Sequence, residues 1–471
     1  MRTMTEAFGN LPCSCLRSCV WRASSAASLG VFLLAAVARE NPVRYLRFDE
    51  VQETLRLNAD SGLPGSEIKE SEQWDTWIRA RDREVRGRID RGIEDSISNL
   101  ILYGTSFTSL ARVDSVESAA TESGELRPAT IARIHALALA LASGAKSERL
   151  SFARDFLARK GTRTNSEESH LTENLRRFIA EQAAYQKKLE DAANNKDPSA
   201  VYLARGTLFE ARGLSVDTSL LPNFALEETL RAMIRKGALN LGSMHRIAVI
   251  GPGLDFTDKR DGYDFYPLQT LQPFAVLEAV RRLDLGKAQD LEVGCLDLNP
   301  AVFAHIEKLS ERGRAGQAYT VQLPRDARAG WSPEAISYWK NFGEILGSPA
   351  KPLPVPSSLG GVAVRAVVIQ PQFAAHLQVY NANIVAETLD FPPGQGFDLM
   401  VATNVLVYYN RLEQALAMAN IARMLNPGGI FLANNVLPAQ HTGDLTYLGR
   451  RTTAFTPSGA YGDDVVVYRR R

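Results

Sequence analysis

The chain of 471 residues has almost no net charge, with 54 Lys and Arg against 53 Asp and Glu. A surface without a dominant sign has no global field to gather nucleic acid or an acidic partner. Cysteine is scarce, at four residues, and Cys13, Cys15 and Cys19 all lie near the start. That leaves Cys295 alone in the rest, so a disulfide scaffold is excluded there. Cys13 and Cys15 have no cysteine or histidine partners at metal-site spacing. The histidines (135, 170, 245, 305, 376 and 441) are scattered without ligand spacing, and no Ser, His and Asp arrangement marks a hydrolase. No metal site is expected. A long hydrophobic run is missing too. The apolar stretch 26–38 is roughly a dozen residues, too short to span a bilayer comfortably.

That short run follows Arg17 and Arg22 and ends in Ala36-Val37-Ala38 before the polar Arg39-Glu40-Asn41-Pro42. The pattern is that of a secretory signal over 1–38, with cleavage after Ala38 and no transmembrane helix in the remainder. A buried N-terminal helix or a misassigned start is the alternative.

What is present is globular. Hydrophobic residues make up 45% and charged residues 23%. The length calls for more than one core. Residues 39–237 are rich in Ala, Leu, Arg and Glu, and apolar positions recur at three- and four-residue intervals over 72–100, 129–142, 150–158 and 171–193. This predicts an all-helical N-terminal domain. Trp74 and Trp77 at helical spacing are core residues or, alternatively, line a groove.

From 244 to 471 the pattern alternates. Strands are expected at 246–250, 291–298, 377–384, 397–402, near 430 and at 463–468, with helices over 268–283, 300–312 and 411–425. Strands alternating with helices make a doubly wound α/β domain with a parallel sheet. The stretch 313–361 reads as an insertion. It has a helix near 331–346 and an extended proline-rich linker, Gly347-Ser348-Pro349-Ala350-Lys351-Pro352-Leu353-Pro354-Val355-Pro356.

The chemistry-bearing residues fall at strand ends. Val249-Ile250-Gly251-Pro252-Gly253 is a strand entering a glycine turn, where backbone can approach a ligand closely. Gly251 and Gly253 are the candidates, and an ordinary turn is the alternative. Asp297 ends the next strand and suits the two hydroxyls of a ribose. Alternatively Asp297 or Asn299 caps the helix that begins at Pro300. Asn383 ends the third strand and either contacts a base edge or serves a turn. Thr403 and Asn404 follow the strand 397–402, and Tyr408 and Tyr409 either wall that mouth or pack in the core. The polar, aromatic loop 257–267 beside the glycine turn suits a lid or a substrate contact. Its acids, with Asp255, recur every third residue (255, 258, 261, 264), unlike a calcium loop.

In their order, these segments resemble class I S-adenosylmethionine-dependent methyltransferases. The carriers are Ala248-Val249-Ile250-Gly251-Pro252-Gly253, Leu296-Asp297, Phe397-Asp398-Leu399-Met400-Val401-Ala402-Thr403-Asn404-Val405-Leu406 and Leu425-Asn426-Pro427-Gly428-Gly429-Ile430-Phe431. The resemblance covers about residues 244–471. It implies a Rossmann-like seven-stranded sheet ending in an antiparallel hairpin built from Ala454-Phe455 and 465–468. It implies S-adenosylmethionine as cofactor, held by Gly251, Gly253, Asp297, Asn383, Thr403 and Asn404. Asn404 and Tyr408 become the candidate catalytic residues. Two departures stand out. Leu254-Asp255 replaces a third small residue of the loop, and Gly251 to Asp297 is about twice the roughly 20-residue spacing of a compact unit.

Two functions follow. One is a methyltransferase whose helical part covers or selects the methyl acceptor. The other is an exported protein that keeps the fold, lacks catalysis and serves as a binding or structural module. The leader suits export, whereas S-adenosylmethionine is a cytoplasmic metabolite.

Overall fold

The computed structural model of the chain describes residues 43–58, 68, 70–144, 147–161, 166–194, 219–257, 263–287, 291–434, 444–459 and 461–471. The leader, its cleavage site and the three N-terminal cysteines lie outside these residues, as do Asp258 and Asp261. Residues Pro42–Arg471 form one compact unit.

The centre is a seven-stranded sheet. In chain order its strands are β2 (Arg246–Ile250), β3 (Glu292–Asp297), β7 (Leu377–Asn381), β9 (Phe397–Ala402), β10 (Leu425–Ala433), β11 (Leu445–Ala454) and β12 (Gly462–Arg470). Their spatial order is β11-β12-β10-β9-β2-β3-β7. The five strands β7, β3, β2, β9 and β10 run parallel, and β12 enters antiparallel between β10 and β11. The chain builds outward from β2 to β3 and β7, then returns to β2's other side with β9. Strand order therefore reverses at the β2–β9 pair, where open α/β sheets form their ligand crevice. Ile247, Ala248, Val249 and Leu399 are wholly buried, as expected of strands covered on both faces.

Several expectations are refined. The hairpin expected from Ala454-Phe455 is a ten-residue strand, β11, paired along most of β12. Pro427-Gly428-Gly429 forms an irregularity inside β10. Register with β9 shifts between Leu425 and Ile430, and Gly428 takes φ +80°. The strand expected over 377–384 ends at Asn381.

Helices α1 (Phe48–Leu57), α2 (Ser71–Tyr103), α3 (Pro128–Ala142), α4 (Glu148–Arg159), α5 (Glu167–Asn194) and α6 (Leu221–Arg235) precede the sheet. An all-helical segment is not what forms, because β1 (Val43–Tyr45) pairs antiparallel with β8 (Glu387–Leu389) of the later half. Arg44 fixes the pairing by binding Asp390 beside β8 and Glu50 of α1 (2.7 Å). Three residues are too few for a period-two pattern to show. Trp74 is fully buried and donates to the carbonyl of Leu46, while Trp77 stacks on it at 5.3 Å. Both are packing residues.

Helices α7 (Gln272–Arg282), α8 (Pro300–Arg314), α9 (Pro333–Asn341), α10 (Pro371–Ala375) and α11 (Arg411–Met424) belong to the later half. The insertion and the residues directly after it form a second sheet that was not expected. Its strands are β4 (Tyr319–Asp326), β5 (Gly347–Ala350) and β6 (Val362–Ile369), in the order β4-β6-β5. The first four residues of the expected linker are thus an edge strand, where Pro349 is tolerated. No described helix is long and apolar enough to cross a membrane.

Candidate functional site

The carboxyl ends of β2, β3 and β9 carry five of the expected residues: Gly251, Gly253, Asp297, Thr403 and Asn404. Gly251 follows β2 with φ +65°, and its N–H donates to the carbonyl of Leu296 on β3 (2.8 Å). Gly253 has φ +67°. A Cβ on Gly251 would stand 2.5 Å from Cγ2 of Val405, so the glycine turn and the loop after β9 touch. Gly251→Ala is therefore expected to cost about 2–4 kcal/mol through its left-handed backbone and this clash. Urea unfolding checks this. Adding Val405→Ala should recover part of the loss; an unchanged midpoint for Gly251→Ala would refute the packing.

Asp297, half-buried at the tip of β3, is tied to the same turn. Its carboxylate accepts the N–H groups of Asn299 (2.8 Å), Leu298 and Gly253. Burial outweighs these donors and raises its pKa to about 6. The capping role falls to Asn299, whose Oδ1 accepts the N–H of Ala301 (3.0 Å) at the start of α8. Neighbouring Cys295 is fully buried, and burial pushes its thiol far up, so it is no nucleophile.

Beyond β9, Thr403 accepts a hydrogen bond from Gln272 Nε2 (2.6 Å) at the head of α7. Asn404 is exposed and held at φ +55°, a strained backbone for a residue with a side chain. Asn434, just past β10, secures it. The Asn404 N–H donates to Asn434 Oδ1 (2.8 Å), and Asn434 Nδ2 donates to Asn404 Oδ1 (2.6 Å). Tyr408 is buried in a short turn of 3-10 helix and Tyr409 is fully buried, so both pack rather than open onto solvent.

Asn383 serves a turn, one of its two expected roles. It is wholly buried, donates to Asp82 of α2 (2.9 Å), and accepts the N–H of Val385 (3.1 Å). Its side chain anchors a helix instead of facing a ligand.

Sequence reasoning predicted the helix over 72–100 but missed what α2 does at the site. Arg86 of this helix reaches Asn381 at the end of β7 (2.7 Å) and Glu387 (2.6 Å). Two residues further on, on a different face of the helix, Arg88 binds Glu413 of α11 (2.8 and 3.0 Å) and the carbonyl of Tyr408 (3.3 Å). A single helix thus spans the loops after β7 and β9. Nothing in a helix's arginines announces such targets. Asn434 was legible in principle, because Ala433 pairs with Ala402 and so places the residues that follow them side by side.

The loop after the glycine turn is strapped down where it is described. Asp255 is buried and accepts from Tyr266 Oη (2.8 Å) and Gln269 Nε2 (2.9 Å). Gln269 also pairs with the backbone of Gln322 on β4, at 2.8 Å in both directions. Arg149 of α4 donates to the carbonyls of Asp255 (2.9 Å), Phe256 and Tyr266. Asp264 accepts from Thr105 N–H (2.9 Å) and hydroxyl (2.7 Å) and from Ser106 N–H (3.0 Å). Residues 263–267 are a fixed wall. The departure Leu254-Asp255 has a cause here, since Asp255 is a buried anchor. Among the described residues, no cluster of three or more His, Cys, Asp and Glu is placed to hold a metal ion.

No family model and no curated protein matches the chain. Solved structures do match. One is an N-methyltransferase, NodS, from Bradyrhizobium japonicum WM9 in complex with S-adenosyl-l-homocysteine. Identity is 13% over 52% of this chain and 85% of that one, with a TM-score of 0.25. Magnesium protoporphyrin IX methyltransferase from Synechocystis PCC 6803 with bound SAM shows 8% identity over 52% and 80%, TM-score 0.25. The CurJ carbon methyltransferase shows 13% over 85% and 98%, also at 0.25. Scores this low carry no argument. The fold rests on the strand order and registers themselves.

Proposed function

We propose that the chain is an S-adenosylmethionine-dependent methyltransferase. The observation that carries this is the joining of Gly251, Gly253 and Asp297 at the point where strand order reverses. An open glycine backbone and a partly ionised carboxylate converge there. The antiparallel β11–β12 pair that ends the sheet supports the same reading, since it is the hairpin the family resemblance implies.

In this reading Asp297 accepts hydrogen bonds from the ribose hydroxyls, and the turn at Gly251 and Gly253 lets backbone lie close to the cofactor. The cofactor, when bound, supplies an electrophilic methyl group. The protein's task is then to position that carbon against the acceptor's nucleophile. Asn404 is the exposed polar group at the mouth. Helix α2, which bridges the loops after β7 and β9, covers the site from the N-terminal half.

Calorimetric titration of the full chain with S-adenosylhomocysteine tests the proposal, with NAD and ATP as comparators. Binding of S-adenosylhomocysteine at micromolar concentration and not of the others is expected. A folded protein that ignores it, or prefers a comparator, would defeat the proposal.

A further inference from the structure

Gln269 lies in the segment between the glycine turn and α7, and its side-chain amide is engaged on every side. Its Oε1 accepts the N–H of Gln322 and its Nε2 donates to the carbonyl of Gln322, both at 2.8 Å. β4 is an edge strand of the inserted sheet, so this amide takes the place that a neighbouring strand's peptide group would fill. Nε2 also donates to Asp255 Oδ2 (2.9 Å), and the backbone carbonyl of Gln269 accepts the Asp255 N–H (2.7 Å). Asp255, Gln269 and Gln322 are all buried.

The same segment runs from one wall of the candidate site to the other. Asp255 closely follows Gly253 of the glycine turn. On the far side, the N–H of Thr270 donates to Tyr319 Oη of β4 (3.0 Å), and Gln272 holds Thr403, next to Asn404, at 2.6 Å. A buried amide with all its bonds made has one position open to it, and the chain on either side is fixed with it.

We infer that Gln269 is a positioning residue through which the inserted sheet fixes both walls of the candidate site, the glycine turn and the loop after β9. This rests on the methyltransferase reading only for the identity of the ligand. The grip on Asp255 and on β4 belongs to the fold. Without the amide, Gln322 loses the partner of its N–H and carbonyl, Asp255 loses a donor, and the segment can shift against β4.

The test is Gln269→Leu in the full chain, which keeps the bulk and removes the amide. Amide hydrogen exchange, followed by NMR without ligand, reads the Gly251 N–H bonded to Leu296 and the Asn404 N–H bonded to Asn434. Both should exchange about tenfold faster, the scale of one or two lost hydrogen bonds. S-adenosylhomocysteine should bind about tenfold more weakly at a temperature where both proteins are fully folded. Gln269→Leu with Asp255→Leu no longer leaves a buried carboxylate short of donors. It should regain part of the urea midpoint while exchange and affinity stay impaired, a split that a purely stabilising role would not give. Unchanged exchange at Gly251 and Asn404, or an affinity that recovers in step with the midpoint, overturns the inference. Should Gln269→Leu not fold, Gln269→Asn, one methylene shorter, reads the same effects. If the unaltered chain binds no S-adenosylhomocysteine, the proposed function falls, and the ligand-free exchange still decides the role of Gln269.

Discussion

Replacing Asp297 with Ala should weaken S-adenosylmethionine binding by about 10²–10⁴-fold. The magnitude comes from two hydrogen bonds to a charged acceptor, at roughly 1.5–3 kcal/mol each, with 1.4 kcal/mol for each tenfold change. Asp297→Asn keeps an acceptor without the charge and should lose less. The pH dependence has a definite sign. Burial raises the Asp297 carboxyl to about 6, so the ionised form that ribose hydroxyls favour dominates only above that value. Affinity should be level above about pH 7 and fall toward tenfold per unit below 6. For stability the sign is opposite. The raised value means the folded state holds this proton more tightly than the unfolded chain. The stabilisation it gives is full below the unfolded value near 4 and lost as pH rises through about 6. The site thus carries a stability cost at the pH where it binds. Calorimetry from pH 5 to 8 on the wild type and both variants reads these effects, and a pH-independent affinity would remove Asp297 from the ligand.

Breaking the Arg88–Glu413 pair should cost about 3–5 kcal/mol, the scale for leaving a buried charge without its partner. Glu413 is 1% exposed, and Arg88 meets both of its oxygens at 2.8 and 3.0 Å. Arg81, at 3.4 Å, is a poor substitute. Glu413 also closes the capping box of α11 with Asn410, so the strain would pass directly into the loop after β9. Arg88→Met should therefore lower the urea midpoint sharply, and Glu413→Gln in the same chain should restore more than half of the loss. If the double variant is as unstable as the sum of the two singles, the pair is not coupled. Because α2 bridges the candidate site, Arg88→Met should weaken ligand binding as well.

The parallel core was legible because strands covered on both faces read as continuous apolar runs, as in Ile247–Ile250 and Leu399–Ala402. The glycine turn and Asp297 were legible because the ends of such strands are where chemistry collects. The inserted sheet was not. β4 contains Pro324, β5 reads Gly-Ser-Pro-Ala, and β6 follows four prolines, so local composition argued for a linker. Those prolines are accommodated because β4 and β5 each pair only with β6 and lie at the edges. Asn383 illustrates the limit for side chains. A strand-end asparagine looks the same whether it faces a ligand or a helix, and its partner, Asp82, lies 301 residues away. The contacts of Arg86 and Arg88 are equally non-local, and a helical period records which residues share a face, not what they meet.

The most direct measurement is a crystal structure of the full chain grown with S-adenosylhomocysteine. The account predicts the ligand at the carboxyl ends of β2 and β3, its ribose hydroxyls about 2.5–3.0 Å from the Asp297 carboxylate, and its backbone neighbours at Gly251 and Gly253. Ligand bound elsewhere, or a ribose that does not touch Asp297, would contradict it.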